Sequence, residues 1–474
     1  MAPVQLVLFL VVLAALSTAQ FSRAEPVANP SVCLALTLAG FAGLSLLALI
    51  SSAITVRRLR GDFSNRAKIL RRFDRMRQVH LGLWLFVSLA ALYGLGWDRL
   101  VRFNWHLAGS FLADDLLILL PMLVPLVFSW ATFYDVDREL QAGSSDEPNR
   151  LAGRWQYLRL HVLHHLGLVL VPVLLLLAAD DAVRFLVPAL SDGERSLLVA
   201  MGLLPALLLF FPDLLRRIWR TEPLRSGPLR DRLMAAARRW NMPLRDILLW
   251  RTDGLVVNAA VAGLMRRRRY VFLTDGLLKR LSDEQIEAVF AHEMGHVRYR
   301  HLTLRLVAVL APICFWMVAD NLFSVQLEAL YSVLASGGPA ATSLAGLLAI
   351  AAVALYAGLV FGPYARLLEK QADLFACRVM SSAEGLPGCA PGSLAPESVV
   401  CYGRMLAQLA VAADVDSSRR GWLHPSIDDR VASLVDCALR PGYTGRFEAL
   451  IWFSTALLVS LSVGAVVCCW VMGL

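Results

Sequence analysis

The chain has 474 residues, of which 57% are hydrophobic and only 18% are charged. This balance excludes an ordinary soluble protein and predicts a polytopic membrane protein whose apolar surface lies mostly against the bilayer. The formal net charge of +9 does not point to nucleic acid, because the basic residues cluster in loops beside apolar segments, as in the cytoplasmic loops of membrane proteins.

Residues 1–215 are expected to form an amino-terminal transmembrane region. Residues 1–19 are either a signal peptide or a first span, since Ser17, Thr18 and Ala19 would suit a cleavage site. A second long apolar stretch covers residues 31–56. The later stretches near 79–97, 115–134, 161–179 and 196–215 are each about 20 residues long, which is enough to cross roughly 30 Å of hydrocarbon.

The distribution of Arg and Lys predicts the orientation of these spans. Basic residues are dense between positions 57 and 77 and again from Arg216 onward, whereas the loop 326–341 contains no Lys or Arg. Because cytoplasmic loops carry the excess of basic residues, residues 216–303 are expected to face the cytoplasm.

Residues 216–303 are expected to be a cytosolic catalytic part that contains a small β-sheet. Two β-rich runs, at 247–250 and 270–274, flank the apolar stretch LVVNAAVAGL. We predict that Asn258, the polar residue of this stretch, lies at an edge of the sheet, where unpaired backbone groups can bind an extended substrate. The alternative is a turn asparagine, because Asp253 and Gly254 mark a turn nearby.

The same part ends in the run LSDEQIEAVFAHEMGHVRYRH, which predicts a zinc-binding helix. Ser282 and Gln285 have capping-box spacing, and apolar residues recur at helical intervals. On a helix, the imidazoles of His292 and His296 share one face and can reach one zinc ion, with Glu293 beside them as general base. The alternative is a chance match on a solvent-exposed face.

Two apolar stretches near 304–325 and 342–362 follow and are expected to form a transmembrane hairpin, 304–362, that returns to the cytoplasm. Residues 363–447 would then be the second cytosolic catalytic part, interrupted by the Gly/Pro-rich stretch GLPGCAPGSLAPES. Residues 448–474 are expected to be a carboxy-terminal transmembrane helix.

A zinc protease site with two histidines needs a third protein ligand from elsewhere in the chain. The run YARLLEKQADLFACRVM places Glu369 and Asp373 four residues apart on one helical face. Glu369 can therefore bind the metal, while Asp373 can orient a ligand imidazole by a hydrogen bond. In the alternative, Glu369 pairs with Arg366 or Lys370 on an ordinary charged helix.

A second histidine group, His161, His164 and His165, lies at the start of one predicted span. Its spacing could bind a metal, but we expect interfacial histidines that are satisfied by neighbouring side chains.

Four segments in this order resemble the integral-membrane zinc metallopeptidases typified by the HtpX heat-shock protease and the CAAX prenyl protease. The segments are NAAVAGL, YVFLTDGLLKRLSDEQIEAVFAHEMGHVRYRH, EKQAD and HPSIDDR, within residues 213–435. The chain differs from the expected pattern at Ala260, where an aromatic residue would be typical, and it has more amino-terminal spans than the short HtpX type.

The resemblance implies roles for individual residues. His292, His296 and Glu369 would bind one Zn²⁺ per chain, and Asn258 and Ala259 would hold the substrate backbone. His424 and Arg430 match the downstream motif, and this histidine would stabilise the oxyanion, a role that suits a preorganised imidazole.

These observations predict a mainly α, polytopic helical membrane protein of about eight or nine spans, with a cytosolic-face zinc peptidase domain. Its partners would be the lipid bilayer and membrane-associated protein or peptide substrates, and no nucleic acid. Quality-control proteolysis and processing of lipidated carboxyl termini both remain open. A sensor or scaffold with a vestigial site and a transporter are the alternatives from other classes.

Overall fold

The computed structural model describes residues 4–21, 25–61, 65–142, 153–190, 192–336, 338–383, 394–413, 416–440 and 442–471. Helices dominate the chain, as predicted. In order they are α1 (Val4–Phe21), α2 (Pro30–Gly61), α3 (Arg66–Leu89), α4 (Trp97–Arg99), α5 (Ala113–Ala142), α6 (Arg154–His161), α7 (Leu168–Leu186), α8 (Asp192–Ile218), α9 (Pro228–Arg239), α10 (Asp275–Arg280), α11 (Asp283–Arg298), α12 (His301–Leu322), α13 (Ser324–Ser336), α14 (Pro339–Tyr356), α15 (Gly362–Ala383), α16 (Pro396–Ala412), α17 (Ile427–Leu439) and α18 (Tyr443–Val471).

One small sheet interrupts the helices. Its strands are β1 (Thr221–Pro223), β2 (Asp246–Trp250), β3 (Ala259–Ala262) and β4 (Tyr270–Thr274), in the spatial order β1-β2-β4-β3. β2 and β4 are parallel, while β1 and β3 run antiparallel to their neighbours. The two predicted β-rich runs are thus β2 and β4, and β3 lies at one edge of the sheet.

Within the described ranges, six helical segments are long and apolar enough to cross a membrane, so the chain is an integral membrane protein. They are Pro30–Gly61, Lys68–Leu95, Ala113–Leu140, Arg154–Leu186, Ala341–Met380 and Tyr443–Ala465. Val4–Thr18 and His301–Trp316 are shorter apolar helices. The mainly α membrane fold with a small sheet is confirmed, whereas the number of about eight or nine spans stays a prediction.

One compact unit comprises Met1–Leu208 and Glu328–Ala354. In it, Arg77 of α3 pairs with Asp137 of α5 at 2.7 Å, and the hydroxyl of Tyr157 in α6 donates to the same carboxylate at 2.6 Å. Charged groups in apolar surroundings are tolerated when they pair in this way, so the triad joins three helices.

This unit contains the histidine group, with His161 at the end of α6 and His164 and His165 between α6 and α7. His161 and His165 pack against the ring of Trp130 in tilted arrangements, with centroid distances of 5.7 and 5.6 Å. These imidazoles are therefore packed as aromatic groups.

The second compact unit comprises Leu209–Leu327 and Leu355–Leu474 and contains the sheet. α11 packs directly on α15, and Gly295 permits their close approach. A Cβ atom at this position would lie 2.9 Å from the Cα of Ala372. The glycine of HEMGH therefore brings the histidine-bearing face of α11 against the helix that carries Glu369 and Asp373.

Two further expectations concern the segments around α15. The segment 326–341, predicted as a loop, is helical over much of its length, since it contains the part of α13 up to Ser336. The lack of Lys and Arg predicts the side of the membrane on which the segment lies. It does not prevent a helix, because apolar and small residues can continue one. Most of the Gly/Pro-rich stretch, residues 385–393, lies outside the described residues.

Candidate active site

The HEMGH run lies on α11, and the predicted helix start is confirmed. The side chain of Ser282 accepts a hydrogen bond from the backbone N–H of Gln285, and the side chain of Gln285 returns one to the backbone of Ser282. One turn apart on this helix, His292 and His296 bring their Nε2 atoms to within 3.2 Å of each other. Two ring nitrogens this close suit binding to a common cation.

Glu369 of α15 completes this cluster. Its carboxylate oxygens lie 3.6 Å from His292 Nε2 and 3.5 Å from His296 Nε2, and its side chain is fully buried. Ligands at zinc–ligand distances of about 2.0–2.1 Å in a tetrahedron are separated by about 3.3–3.4 Å. The three groups therefore have the spacing of one face of a zinc coordination tetrahedron, and the donor set fits zinc.

Asp373 orients the first histidine. Nδ1–H of His292 donates to Asp373 Oδ1 at 2.8 Å, which directs Nε2 at the cluster as the ring nitrogen that can bind a metal in place of its proton. Arg430 donates to both oxygens of Asp373, at 2.7 and 2.5 Å, and the hydroxyl of Tyr402 donates at 3.0 Å. Arg430, predicted from the motif at 424–430, therefore contacts the aspartate behind His292.

His301, which was not among the predicted site residues, orients His296 in the same way. Its Nε2–H donates to Gln371 Oε1 at 2.9 Å, so its Nδ1 accepts from Nδ1–H of His296 at 2.8 Å. This chain of bonds leaves His296 Nε2 free to bind a metal. His301 and Gln371 lie within the two motifs, five residues after His296 and two after Glu369, and this proximity was the available signal.

Two cationic or polar side chains contact Glu369. Arg305 of α12 donates to Oε1 at 2.5 Å, and His424 Nδ1 lies 2.7 Å from Oε2. Arg305 was also missed, although a single charged residue between His301 and Asp320 of an apolar helix is a recognised sign of a functional site. His424 is exposed and precedes the buried Pro425 at the start of α17.

Glu293 connects the cluster to the sheet. Its Oε2 accepts a hydrogen bond from the backbone N–H of Val261 in β3 at 3.0 Å. The backbone C=O of Asn258 points in the opposite direction, toward β4, where it accepts a hydrogen bond from the N–H of Thr274. Hydrogen-bonding direction alternates along an antiparallel strand, so the backbone groups of Ala259 and Val261 point to the open edge.

Burial and neighbouring charges shift the pKa values of the α11 groups. Burial is the largest effect on His292 and lowers its pKa, but the nearby carboxylates of Asp373 and Glu369 outweigh it and raise the pKa to about 9. Burial also lowers the pKa of His296 and raises the pKa of Glu293. A raised carboxyl pKa suits a group that accepts and returns protons near neutral pH.

Residues 223–438, which include β2, the α11 cluster, α15 and Arg430, match the family model described as Peptidase family M48. Over these residues the chain is similar to peptidase family M48. This agrees with the resemblance to the HtpX and CAAX prenyl proteases, and the matched residues include all the site residues predicted from the sequence.

Individual proteins are similar to parts of this chain. "Protease HtpX homolog" of Aeropyrum pernix is 29% identical over 198 residues, which cover 40% of this chain and 59% of that protein. "Protease HtpX homolog 2" of Methanosarcina mazei is 32% identical over 84 residues, or 18% of this chain and 28% of that protein. The chain thus spans less than two thirds of the length of these relatives.

A solved structure, the crystal structure of S. mikatae Ste24p, is also similar to the chain. It has a TM-score of 0.43 and 17% identity, and the alignment covers 86% of this chain and 100% of that one.

Proposed function

We propose that the chain is a membrane-embedded, zinc-dependent metalloendopeptidase that hydrolyses peptide bonds of membrane or membrane-associated proteins. The observation that supports this most directly is the spacing of 3.2–3.6 Å between His292 Nε2, His296 Nε2 and the Glu369 oxygens. Asp373 and His301 supply the supporting hydrogen bonds that zinc-binding histidines require. A site that had lost its activity would not need Asp373 and His301 to keep orienting the two histidines.

When bound, zinc at such a site makes water more acidic and polarises a peptide carbonyl. Glu293 accepts the proton of the attacking water and then donates it to the leaving amine. Its hydrogen bond to Val261 places the base beside the open edge of β3.

The remaining predicted residues act on the substrate and on the ligands. A substrate in an extended conformation pairs with the outward backbone groups of Ala259 and with the outward C=O of Val261, whose N–H is bound by Glu293. The exposed Asn258 side chain lies at the start of the strand. His424 donates to the oxyanion that forms from the scissile carbonyl. Arg430 acts as a positioning residue through Asp373 and His292.

We further propose that the site faces the cytoplasm, because the basic loops predict this orientation. Single cysteines introduced at Arg66, Arg225, Arg404 or Glu328, in a cysteine-free background, can be labelled from either side of the membrane. The first three positions should react with a reagent confined to the cytoplasm, and position 328 should not. Cytoplasmic labelling at 328 would contradict the predicted hairpin.

The test of the activity itself is hydrolysis of an unfolded polypeptide by the purified, detergent-solubilised chain. A chelator should abolish cleavage, and Zn²⁺ should restore it, while a serine-protease inhibitor has no effect. Cleavage that persists after complete metal removal would rule out this function.

A further inference from the structure

The turn between β3 and β4 has an unusual surface. It comprises residues 263–269, with the sequence GLMRRRR, and we name it the arginine tip. Leu264 and Met265 are 37% and 56% exposed, and Arg266 and Arg267 are exposed beside them. Two apolar side chains followed by cations are typical of segments that lie at a membrane surface.

The conformation of the arginine tip is fixed by its own bonds. Gly263 has a φ of 116°, and a Cβ atom there would lie 2.3 Å from the backbone oxygen of Arg268. The guanidinium of Arg269 donates to the backbone oxygens of Gly263 and Leu264 at 3.3 and 3.2 Å. Leu264 and Met265 are therefore held outward by a closed turn, and ordering them on a partner costs little additional entropy.

The arginine tip lies at the polar end of an apolar helix. Arg268 pairs with Asp213 of α8 at 2.6 Å, and its guanidinium lies 4.1 Å from the centre of the Phe210 ring. No charged residue occurs between Arg195 and Asp213, whereas Arg216 and Arg217 follow directly. Such a change from apolar to basic sequence is typical of the end of a span on the cytoplasmic side, and we take it as the membrane boundary in this proposal.

The guanidinium groups of Arg266 and Arg267 have no hydrogen bond or ion pair with any described residue, in contrast to those of Arg268 and Arg269.

We propose that the arginine tip docks on the surface of an anionic bilayer, with Leu264 and Met265 among the headgroups and Arg266 and Arg267 on lipid phosphates. The inference goes beyond the proposed peptidase activity and does not depend on it. Because Ala262 precedes the tip directly, docking would set the height of the β3 edge above the membrane.

The experiment uses the full chain carrying Met265→Cys in a cysteine-free background, labelled with bimane and reconstituted into lipid vesicles. Phosphatidylcholine that carries a nitroxide on its headgroup quenches the label when residue 265 reaches the headgroup region. Vesicles of phosphatidylcholine alone are compared with vesicles that also contain phosphatidylserine. We expect the ratio of docked to free tips to be about tenfold higher with phosphatidylserine, and this gain to disappear in high salt.

The matched variants separate this surface from total charge. Arg266→Gln/Arg267→Gln should remove the phosphatidylserine effect, whereas Arg225→Gln/Arg238→Gln, which removes the same charge from exposed positions elsewhere in the unit, should retain it. Equal quenching in both lipid compositions, or an effect that is lost equally in both double variants, would overturn the proposal. The bimane emission is also measured with soluble polyglutamate. If polyglutamate shifts the emission and phosphatidylserine does not, the partner is an acidic protein and the proposal of bilayer docking is overturned.

Discussion

The carboxylate of Glu293 accepts a hydrogen bond from the backbone N–H of Val261 at 3.0 Å. Val261 belongs to the edge strand β3, and this N–H points away from the neighbouring strand. The relationship places the acid of the proposed metal-binding helix against the strand edge that an extended peptide would use. The proposed base and the proposed substrate platform are therefore in direct contact.

Glu293→Gln should abolish peptide hydrolysis and leave zinc bound. The amide keeps the hydrogen-bonding shape of the carboxylate but cannot accept a proton, so the loss in kcat should exceed about 10²-fold. Zinc content and cleavage rate are measured on the same preparation. Turnover at the wild-type rate in the zinc-loaded variant would remove Glu293 from the mechanism.

Ala259→Pro should weaken cleavage at the open edge of β3 without unfolding the sheet. Proline removes the N–H of Ala259, which faces outward, so no bond to β4 is lost. Loss of one substrate hydrogen bond predicts a decrease in kcat/KM of about tenfold. Asn258→Ala should give a smaller decrease. If both variants bind zinc and cleave normally, β3 is not the substrate platform.

Asp373→Asn should lower zinc affinity by about 10- to 100-fold, because the hydrogen bond that orients His292 is weakened. It also removes the charge partner of Arg430, so the variant should unfold at a lower temperature. Asp428→Asn, at an exposed position of α17, is the matched control and should change neither property. Equal zinc affinities in the two variants would contradict the orienting role of Asp373.

Zinc affinity should rise with pH. Because the pKa of His292 is raised to about 9, a proton occupies its ligand nitrogen at neutral pH in the metal-free protein and competes with zinc. Affinity, measured against a chelator of known strength, should therefore increase from about pH 6 and level off near pH 9. An affinity that is constant over this range would show that His292 is not a ligand.

The local parts of the site could be predicted from the sequence. Helical spacing places His292 with His296 and Glu369 with Asp373, and the capping box at Ser282 marks where α11 begins. The contacts between helices could not be predicted. Arg305 reaches Glu369 from α12, and Tyr402 reaches Asp373 from α16, through packing between segments distant in the chain.

The membrane region shows a similar limit. Length and apolar composition identify helices that could cross a bilayer, but they do not distinguish a span from an apolar helix buried in protein. The segment at 326–341, predicted as a loop from its lack of basic residues, contains much of α13. Charge distribution predicts the side of the membrane, and it does not predict the backbone conformation.

The most direct test of the metal centre is the zinc content of the purified chain and of Glu369→Ala, measured by mass spectrometry. Glu397→Ala, an exposed glutamate of α16 in the same unit, is the matched control. We expect about one zinc per chain in the wild type and in Glu397→Ala, and almost none in Glu369→Ala, because a three-residue site loses one of its ligands. Full zinc occupancy in Glu369→Ala would contradict the proposed metal site.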